Sequence, residues 1–251
     1  MLFDGNGRRN ARGLQSAVID PEPDFYLDQP VIDLKQRLTR LVEFFPVRTK
    51  FAPATEFVER IQALIALIGN DPEIGSALKA PHFPICLPQI GGGDYGETLD
   101  KLFAEAVGAS YSQQFRRRHF ENRRKGTLTR QVTVVGKNHG ELIALMLKGP
   151  VVGILTVPLQ GFSVQAQREQ MSAMPGIVSL GGGYDIATAI AAYPETLSQG
   201  CHTPGLTLSS LQFQSPEGVL SFRADDDVLF FGGGPSGTAV ASDSGGLFFR
   251  G

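Results

Sequence analysis

The sequence has few of the residues that build a redox or metal centre. Its 251 residues include only two cysteines, Cys86 and Cys201, and four histidines. No histidine has a second histidine three or four positions away, and neither cysteine lies in a zinc-ligand spacing. We therefore predict no disulfide framework, no metal site and no cofactor.

Long apolar runs are also lacking. No stretch approaches the 18 or so consecutive apolar residues that a membrane-spanning helix needs. The opening residues, MLFDGNGRRNARG, lack a basic segment followed by an apolar run, which a signal peptide would show. The sequence predicts neither a membrane span nor a signal peptide, and we expect a cytoplasmic protein.

The chain has no excess of positive charge. Its formal net charge is −2 at pH 7, whereas nucleic-acid-binding proteins usually carry many more Lys and Arg than Asp and Glu. Nucleic-acid binding is therefore disfavoured. The 42% hydrophobic content is enough for a large core, and the length suits one large domain or two small ones. An oligomer is compatible with this composition.

Three zones can be distinguished along the chain. Residues 1–30 are rich in Gly, Arg, Pro and Asp and lack periodicity, so we predict a flexible N-terminal arm. Residues 31–205 form the predicted α/β body, which begins with two amphipathic helices at 31–45 and 57–68. Residues 206–251 alternate in polarity and are predicted to form a C-terminal antiparallel β element packed on the same domain.

The body alternates short apolar runs with helical segments. The apolar runs lie at 85–87, 132–135, 151–157 and 177–180. Continuous apolar strands indicate a sheet that helices cover, so we predict an α/β fold with a two-layer or three-layer mixed sheet, at least partly parallel. Near the C-terminus, VLSFRADDDVLFF at 219–231 predicts two strands joined by an acidic turn.

Two glycine triplets stand between an apolar run and a predicted helix. The first is GGGDY at 91–95 and the second is GGGYD at 181–185. Glycines at such a junction allow a tight turn, and the free N–H groups of the following helix favour an anion. Acidic residues follow the first triplet closely, which favours the second as a ligand site; plain tight turns are the alternative. The candidate ligand-binding residues are Gly181, Gly182, Gly183, Tyr184, Asp185 and His202.

A basic segment, RRRHFENRRKGTLTR, spans residues 116–130. One interpretation is a solvated face at the C-terminal end of a helix, where cations complement the helix dipole. The other is a surface that holds carboxylates or phosphates through arginine side chains. The candidate partner-binding residues are Arg116, Arg117, Arg118, Arg123, Arg124 and Lys125.

No set of residues has the spacing of a known catalytic motif, so we predict no catalytic residues and leave open whether the chain is an enzyme. The leading hypothesis is a non-catalytic interaction or accessory protein that binds an acidic protein partner through the basic segment. An enzyme or small-ligand binder with its site at the glycine-rich turns is the alternative. Nucleic-acid binding is a second alternative.

Overall fold

The computed structural model describes residues 1–19, 27–200, 203–235 and 238–251. The helical elements are α1 (Leu34–Phe44), α2 (Ala54–Gly69), α3 (Tyr95–Thr98), α4 (Glu105–Gln114), α5 (Lys137–Lys148), α6 (Val164–Glu169), α7 (Gly183–Ala192) and α8 (Pro194–Leu197), with a π segment at Leu99–Ala104 and 3₁₀ segments at Gly75–Lys79 and Gln170–Ala173. The predicted N-terminal helical pair is present as α1 and α2. Among the described residues, none of the helices combines the length and apolarity needed to cross a bilayer.

The strands form a four-stranded, a five-stranded and a two-stranded sheet. They are β1 (His82–Leu87), β2 (His119–Asn122), β3 (Val132–Val134), β4 (Val151–Thr156), β5 (Val178–Leu180), β6 (Gly205–Thr207), β7 (Leu211–Phe213), β8 (Gly218–Asp225), β9 (Val228–Pro235), β10 (Asp243–Gly245) and β11 (Leu247–Arg250). Helices and strands mix along the chain, which confirms the predicted α/β fold class.

The four-stranded sheet has the order β1-β4-β11-β5, and every pairing in it is antiparallel. The parallel pairing predicted for part of the fold is therefore absent from this sheet. The runs are apolar because both faces of the sheet are covered, which antiparallel strands also allow. Continuous apolarity indicated two-sided burial, but it carried no information about strand direction.

Each face of this sheet packs against a separate core. On one face, Phe83, Leu155 and Phe248 belong to the core that contains α4 and α7. On the other face, Ile154 and Phe249 belong to the core that contains α2. The alternation follows from the two-residue repeat of a strand. The result is a sheet sandwiched between two layers, one of which includes the fully buried helix α7.

The position of β11 differs from what its sequence suggested. Residues 206–251 were predicted to form one antiparallel β element packed on the body, but β11 lies inside the four-stranded sheet, between β4 and β5. Gly153 in β4 makes this possible, because a Cβ there would lie 2.5 Å from the Phe249 carbonyl oxygen and against the Phe248 ring. The sheet is therefore completed by residues far apart in the chain.

The five-stranded sheet has the order β10-β6-β8-β9-β2 and mixes parallel with antiparallel pairs. Its centre is the β8–β9 hairpin, whose turn lies at Asp226 and Asp227; this confirms the predicted pair of strands with an acidic turn. The parallel pairing of β2 with β9 carries the basic segment to one edge of this sheet. Strands β3 and β7 form the small third sheet.

The described part of the predicted N-terminal arm, residues 1–19, lies against the body. Phe3 is buried in the core on the α2 side of the four-stranded sheet. The Arg9 guanidinium donates to Gln170 Oε1 at 3.1 Å, and the carboxylate of Glu169 accepts from the backbone N–H groups of Gln15 and Ser16. Flexibility of residues 1–30 remains a prediction, but these contacts attach residues 1–19 to the body at several points.

Candidate functional sites

The second glycine triplet lies between β5 and α7 and is fully buried. The N–H of Gly182 donates to Asp185 Oδ1 at 2.8 Å, and the N–H of Gly183 donates to the Tyr95 hydroxyl at 2.9 Å. An anion at a helix N-terminus needs free N–H groups. At α7 those donors are already used by side chains of the protein itself.

The first glycine triplet differs from the second. Gly91, Gly92 and Gly93 are exposed, and a Cβ at any of them would have no other atom within 4 Å. The residues after the two triplets nevertheless meet, because the ring of Tyr95 stacks on Tyr184 with centroids 4.1 Å apart. The two segments are joined through these aromatic rings.

Within the described residues, the buried Ser210 Oγ beside Gly182 has no hydrogen-bond partner. The buried side chains of His139 and Asp185 lie around the same glycine, and each is hydrogen-bonded to backbone groups. A Cβ on Gly182 would contact both the His139 ring and Ser210 Oγ, so the two side chains converge on this glycine. Sequence reasoning missed this cluster, because neither His139 nor Ser210 is close to the glycine triplet in the chain.

Burial shifts the pKa of both ionisable members of this cluster toward the neutral form. Desolvation raises the pKa of Asp185 to about 7, although backbone N–H groups, that of Gly182 first, partly oppose the rise. Desolvation lowers the pKa of His139 to about 4, with a small opposing effect of the Leu180 backbone. Near neutral pH the imidazole is therefore uncharged.

The other candidate ligand residues are placed as follows. Tyr184 is buried between the rings of Tyr95 and Phe103, and its hydroxyl donates to the Tyr95 carbonyl oxygen at 3.1 Å. This arrangement gives Tyr184 a packing role. His202 lies outside the described residues, as does the neighbouring Cys201.

The basic segment does not form one uniform face. Strand β2 divides it into a loop that contains Arg116, Arg117 and Arg118 and a turn that contains Arg123, Arg124 and Lys125. Arg116 and Arg117 are exposed, and no hydrogen bond or ion pair involves their side chains within the described parts of the chain. The loop and the turn lie at opposite ends of the strand.

Several cations of this segment already contact other side chains. Arg118 lies over the Phe115 ring at 4.7 Å, and Lys125 pairs with Glu105 at 2.9 Å on an exposed surface. Arg123 pairs with Glu121 at 3.0 Å and also lies 3.9 Å from the Phe230 ring centroid. Exposed ion pairs of this kind contribute little to stability, so a partner's carboxylates can replace them at little cost.

The turn borders a cavity of about 430 Å³. Three arginines line it: Arg123 and Arg124 from the turn, and Arg223 from β8. Hydroxyl groups of Thr207 and Ser221 also line the cavity, as does the carboxylate of Asp243. Sequence reasoning missed Arg223, although a lone arginine in the mostly apolar segment VLSFRA of β8 was a visible signal.

Charge in this cavity is predominantly positive. Arg223 pairs with Asp243, whose pKa is raised by burial and lowered again, in smaller part, by that arginine. Arg124 is half-buried above the Phe213 ring, and its Nε is buried without a partner. Among the described residues no carboxylate pairs with Arg124. The cavity therefore has arginine charge that no carboxylate in the described part of the chain neutralises.

Within the described residues, no group of three or more His, Cys, Asp and Glu side chains is arranged to hold a metal ion. No family model, curated protein or solved structure matches the chain.

Proposed function

We propose that this protein binds an acidic segment of a protein partner at the cavity lined by Arg123, Arg124 and Arg223. Arginine side chains present planar donor pairs that match a carboxylate, and such charge-assisted hydrogen bonds are stronger than neutral ones. The cavity is large enough to receive one or two acidic side chains of an extended peptide. The exposed Arg116 and Arg117, at the far end of β2, extend the positive surface beyond the cavity.

The observation that carries the proposal is the state of Arg124. Its guanidinium is partly removed from water and lies over an aromatic ring, and no carboxylate of the described residues pairs with it. A half-buried charge without a partner costs free energy in the unbound protein. An incoming carboxylate would remove that cost, so binding would be favoured at this point of the surface.

The concave shape of the arginine-lined cavity favours a protein partner over a nucleic acid. A nucleic-acid surface usually spreads many cations along a groove, whereas here three arginines converge on one cavity in a chain of net charge −2. The predicted cytoplasmic location, where acidic protein segments are abundant, accords with the proposal.

The test uses a fluorescein-labelled oligo-glutamate peptide and fluorescence anisotropy. We expect saturable binding to the full chain, and we expect Arg123→Glu with Arg124→Glu to weaken it by about tenfold or more. The matched control is Lys35→Glu with Arg48→Glu, which changes the net charge equally at two exposed positions on the helical side. The control should bind like the wild type.

Two results would overturn the proposal. One is an equal loss of peptide binding in the control double variant, which would mean that net charge alone governs the interaction. The other is tighter binding of a DNA duplex than of the peptide, with a steep dependence on salt, which would favour a nucleic-acid partner. A parallel variant, Arg116→Glu with Arg117→Glu, measures how much of the surface beyond the cavity takes part.

A further inference from the structure

Strand β9 continues past the end of its neighbour β2. The two strands pair as far as Asn122 and Phe231, whereas β9 runs on to Pro235. Beyond Asn122 the chain turns away from β9, and the Asn122 side chain accepts from the N–H of Arg124 within that turn. Residues 232–235 therefore pair with β8 on one side, and no strand of the described residues lies on the other.

The backbone groups of Gly233 point to this open side. Gly233 lies opposite Leu220 of β8, and the Leu220 carbonyl oxygen accepts from the Leu208 N–H on the far side of that strand. When the backbone groups of one residue in an antiparallel pair point away from the partner strand, those of the opposite residue do so too. Phe231, two residues earlier, fits this alternation, since its carbonyl oxygen accepts from the Arg123 N–H on the β2 side. The N–H and C=O of Gly233 are thus available to a further strand.

There is room for another backbone beside this edge. Gly233 and Gly234 are exposed, and a Cβ on Gly232 or Gly234 would have no other atom within 4 Å. Glycine inside a strand often marks a place where another backbone or a ligand approaches closely. The same three glycines line the arginine-lined cavity, so an added strand would lie at its rim.

An arginine lies on each face of the sheet at this edge. Arg123 lies 3.9 Å from the ring centroid of Phe230, which shares a face with Gly232 because side chains alternate along a strand. A Cβ on Gly233 would point to the opposite face, where it would lie 3.4 Å from a guanidinium nitrogen of Arg124. The side chains of an added strand would alternate in the same way. Two consecutive acidic residues can therefore each meet one arginine.

The charge at this edge favours an acidic partner over a second copy of the chain. Two copies paired edge to edge would bring Arg124 of each copy close to the like charge of the other. Cationic side chains at a sheet edge are a common protection against such pairing. An acidic strand instead supplies the carboxylate that Arg124 lacks among the described residues.

We propose that the acidic segment of the partner binds as an added β-strand along the free edge of β9. It would form hydrogen bonds with the N–H and C=O of Gly233 and place two consecutive acidic side chains on Arg123 and Arg124. This inference rests on the proposed function and specifies its partner: main-chain hydrogen bonds supply affinity, and the two arginines select for acidic side chains. The partner segment must be extended when bound, so an acidic helix would not fit.

Methylation of the backbone nitrogens of the probe tests strand addition without changing its charge. The probes are fluorescein-labelled oligo-glutamate peptides that are unmodified, N-methylated at every second residue, or N-methylated at every residue. Since the N–H groups of a strand point alternately to its two sides, the second peptide keeps one edge that can pair and the third keeps none. We expect the second to bind the full chain within about threefold of the unmodified peptide, and the third at least about tenfold more weakly.

The Gly233 amide gives a readout on the protein itself. In the ¹⁵N-labelled full chain, we expect saturation with the unmodified peptide to slow hydrogen exchange of the Gly233 N–H by about tenfold or more, because this group becomes a donor in a sheet. The exposed Gly92, which lies outside the cavity, is the matched control, and its exchange rate should not change.

The outcomes separate this inference from the proposed function. Equal binding of all three peptides, still weakened by Arg123→Glu with Arg124→Glu, would overturn strand addition and leave the proposed function standing. An unchanged exchange rate at Gly233 on saturation would do the same. Binding of none of the peptides would overturn both. Slow exchange of the Gly233 N–H in the free protein that becomes faster on dilution would assign the edge to a second copy of the chain, against the inference.

Discussion

The hydroxyl oxygen of Tyr95 accepts a hydrogen bond from the backbone N–H of Gly183 at 2.9 Å, across 88 residues of sequence. This contact joins the two glycine-rich segments. It also uses a donor at the start of α7 that would otherwise be free for a ligand. The same hydroxyl reaches His139, so one side chain links the glycine turn to helix α5.

Tyr95→Phe should therefore destabilise the protein more than Tyr184→Phe does. The first change leaves the Gly183 N–H and His139 Nε2 without a partner, at a cost of about 2 kcal/mol in the free energy of unfolding. The second removes hydrogen bonds of the hydroxyl to the Tyr95 carbonyl oxygen and to Thr98 but leaves no buried imidazole unpaired, at a cost of about 1 kcal/mol. Urea denaturation of both variants measures the difference, and equal costs would contradict the linking role of Tyr95.

Gly182→Ala should be strongly destabilising. An added Cβ would lie 2.5 Å from Ser210 Oγ and against the His139 ring, distances that real Cβ contacts essentially never show. Because both neighbours are buried, we expect a loss of about 3 kcal/mol or more. Gly92→Ala is the control, since a Cβ there meets nothing within 4 Å and should change stability by less than about 1 kcal/mol. Similar thermal midpoints for the two variants would refute this account.

Asp185 and His139 should make opposite contributions to the pH dependence of stability. Asp185 keeps its proton up to about pH 7 in the folded protein, whereas its ordinary pKa is 3.8, so its contribution to stability falls as pH rises through this window. His139 stays neutral down to about pH 4, whereas its ordinary pKa is 6.5, so its contribution rises with pH between 4 and 6.5. The two effects largely cancel in the wild type.

Single substitutions should reveal each effect. Asp185→Asn keeps an acceptor for the Gly182 N–H, and its stability should increase from pH 4 to 6.5 by on the order of 3 kcal/mol relative to the wild type. His139→Gln should show the reverse, a decrease over the same range. Chemical denaturation at several pH values measures both slopes. Parallel curves for the two variants and the wild type would mean that neither group is shifted by burial.

Cys86 should be inert in the folded protein. It lies buried in β1, and burial raises the pKa of its thiol to about 11, with a smaller opposing effect of the Ala52 backbone. In a Cys201→Ser background, we expect an aromatic disulfide reagent to label the native protein at least about a hundredfold more slowly than the urea-unfolded protein, because both thiolate formation and access are limited. Labelling of the native Cys201→Ser variant as fast as that of the unfolded protein would contradict the prediction that Cys86 is inert.

Local patterns in the sequence predicted local structure. Serine favours the first position of a helix, and the Ser163 side chain accepts from the Ala166 N–H at the start of α6. The acidic turn between β8 and β9 was equally visible, because both strands and their connection lie within a short segment. The start of α5 is less visible in the sequence. Asparagine favours a cap position, but the cap is Gly136 and the Asn138 amide donates to the Val178 carbonyl oxygen.

Contacts between distant segments could not be predicted in this way. Tyr95 and Gly183 each looked like part of a tight turn, and nothing in either segment indicates that they meet. The pairing of β2 with β9 likewise positions the turn after Asn122, where Arg124 lies over the Phe213 ring of β7. Such pairings depend on the whole chain, so composition and periodicity carry no information about them.

The interior position of β11 has a consequence for how the protein is made. On the ribosome, β4 and β5 are synthesised long before residues 247–250, yet both strands need β11 as their neighbour. Until that segment emerges, each presents an unpaired apolar edge, a feature that promotes aggregation. The nascent chain is therefore expected to depend on chaperones that shield such edges until synthesis has passed Arg250.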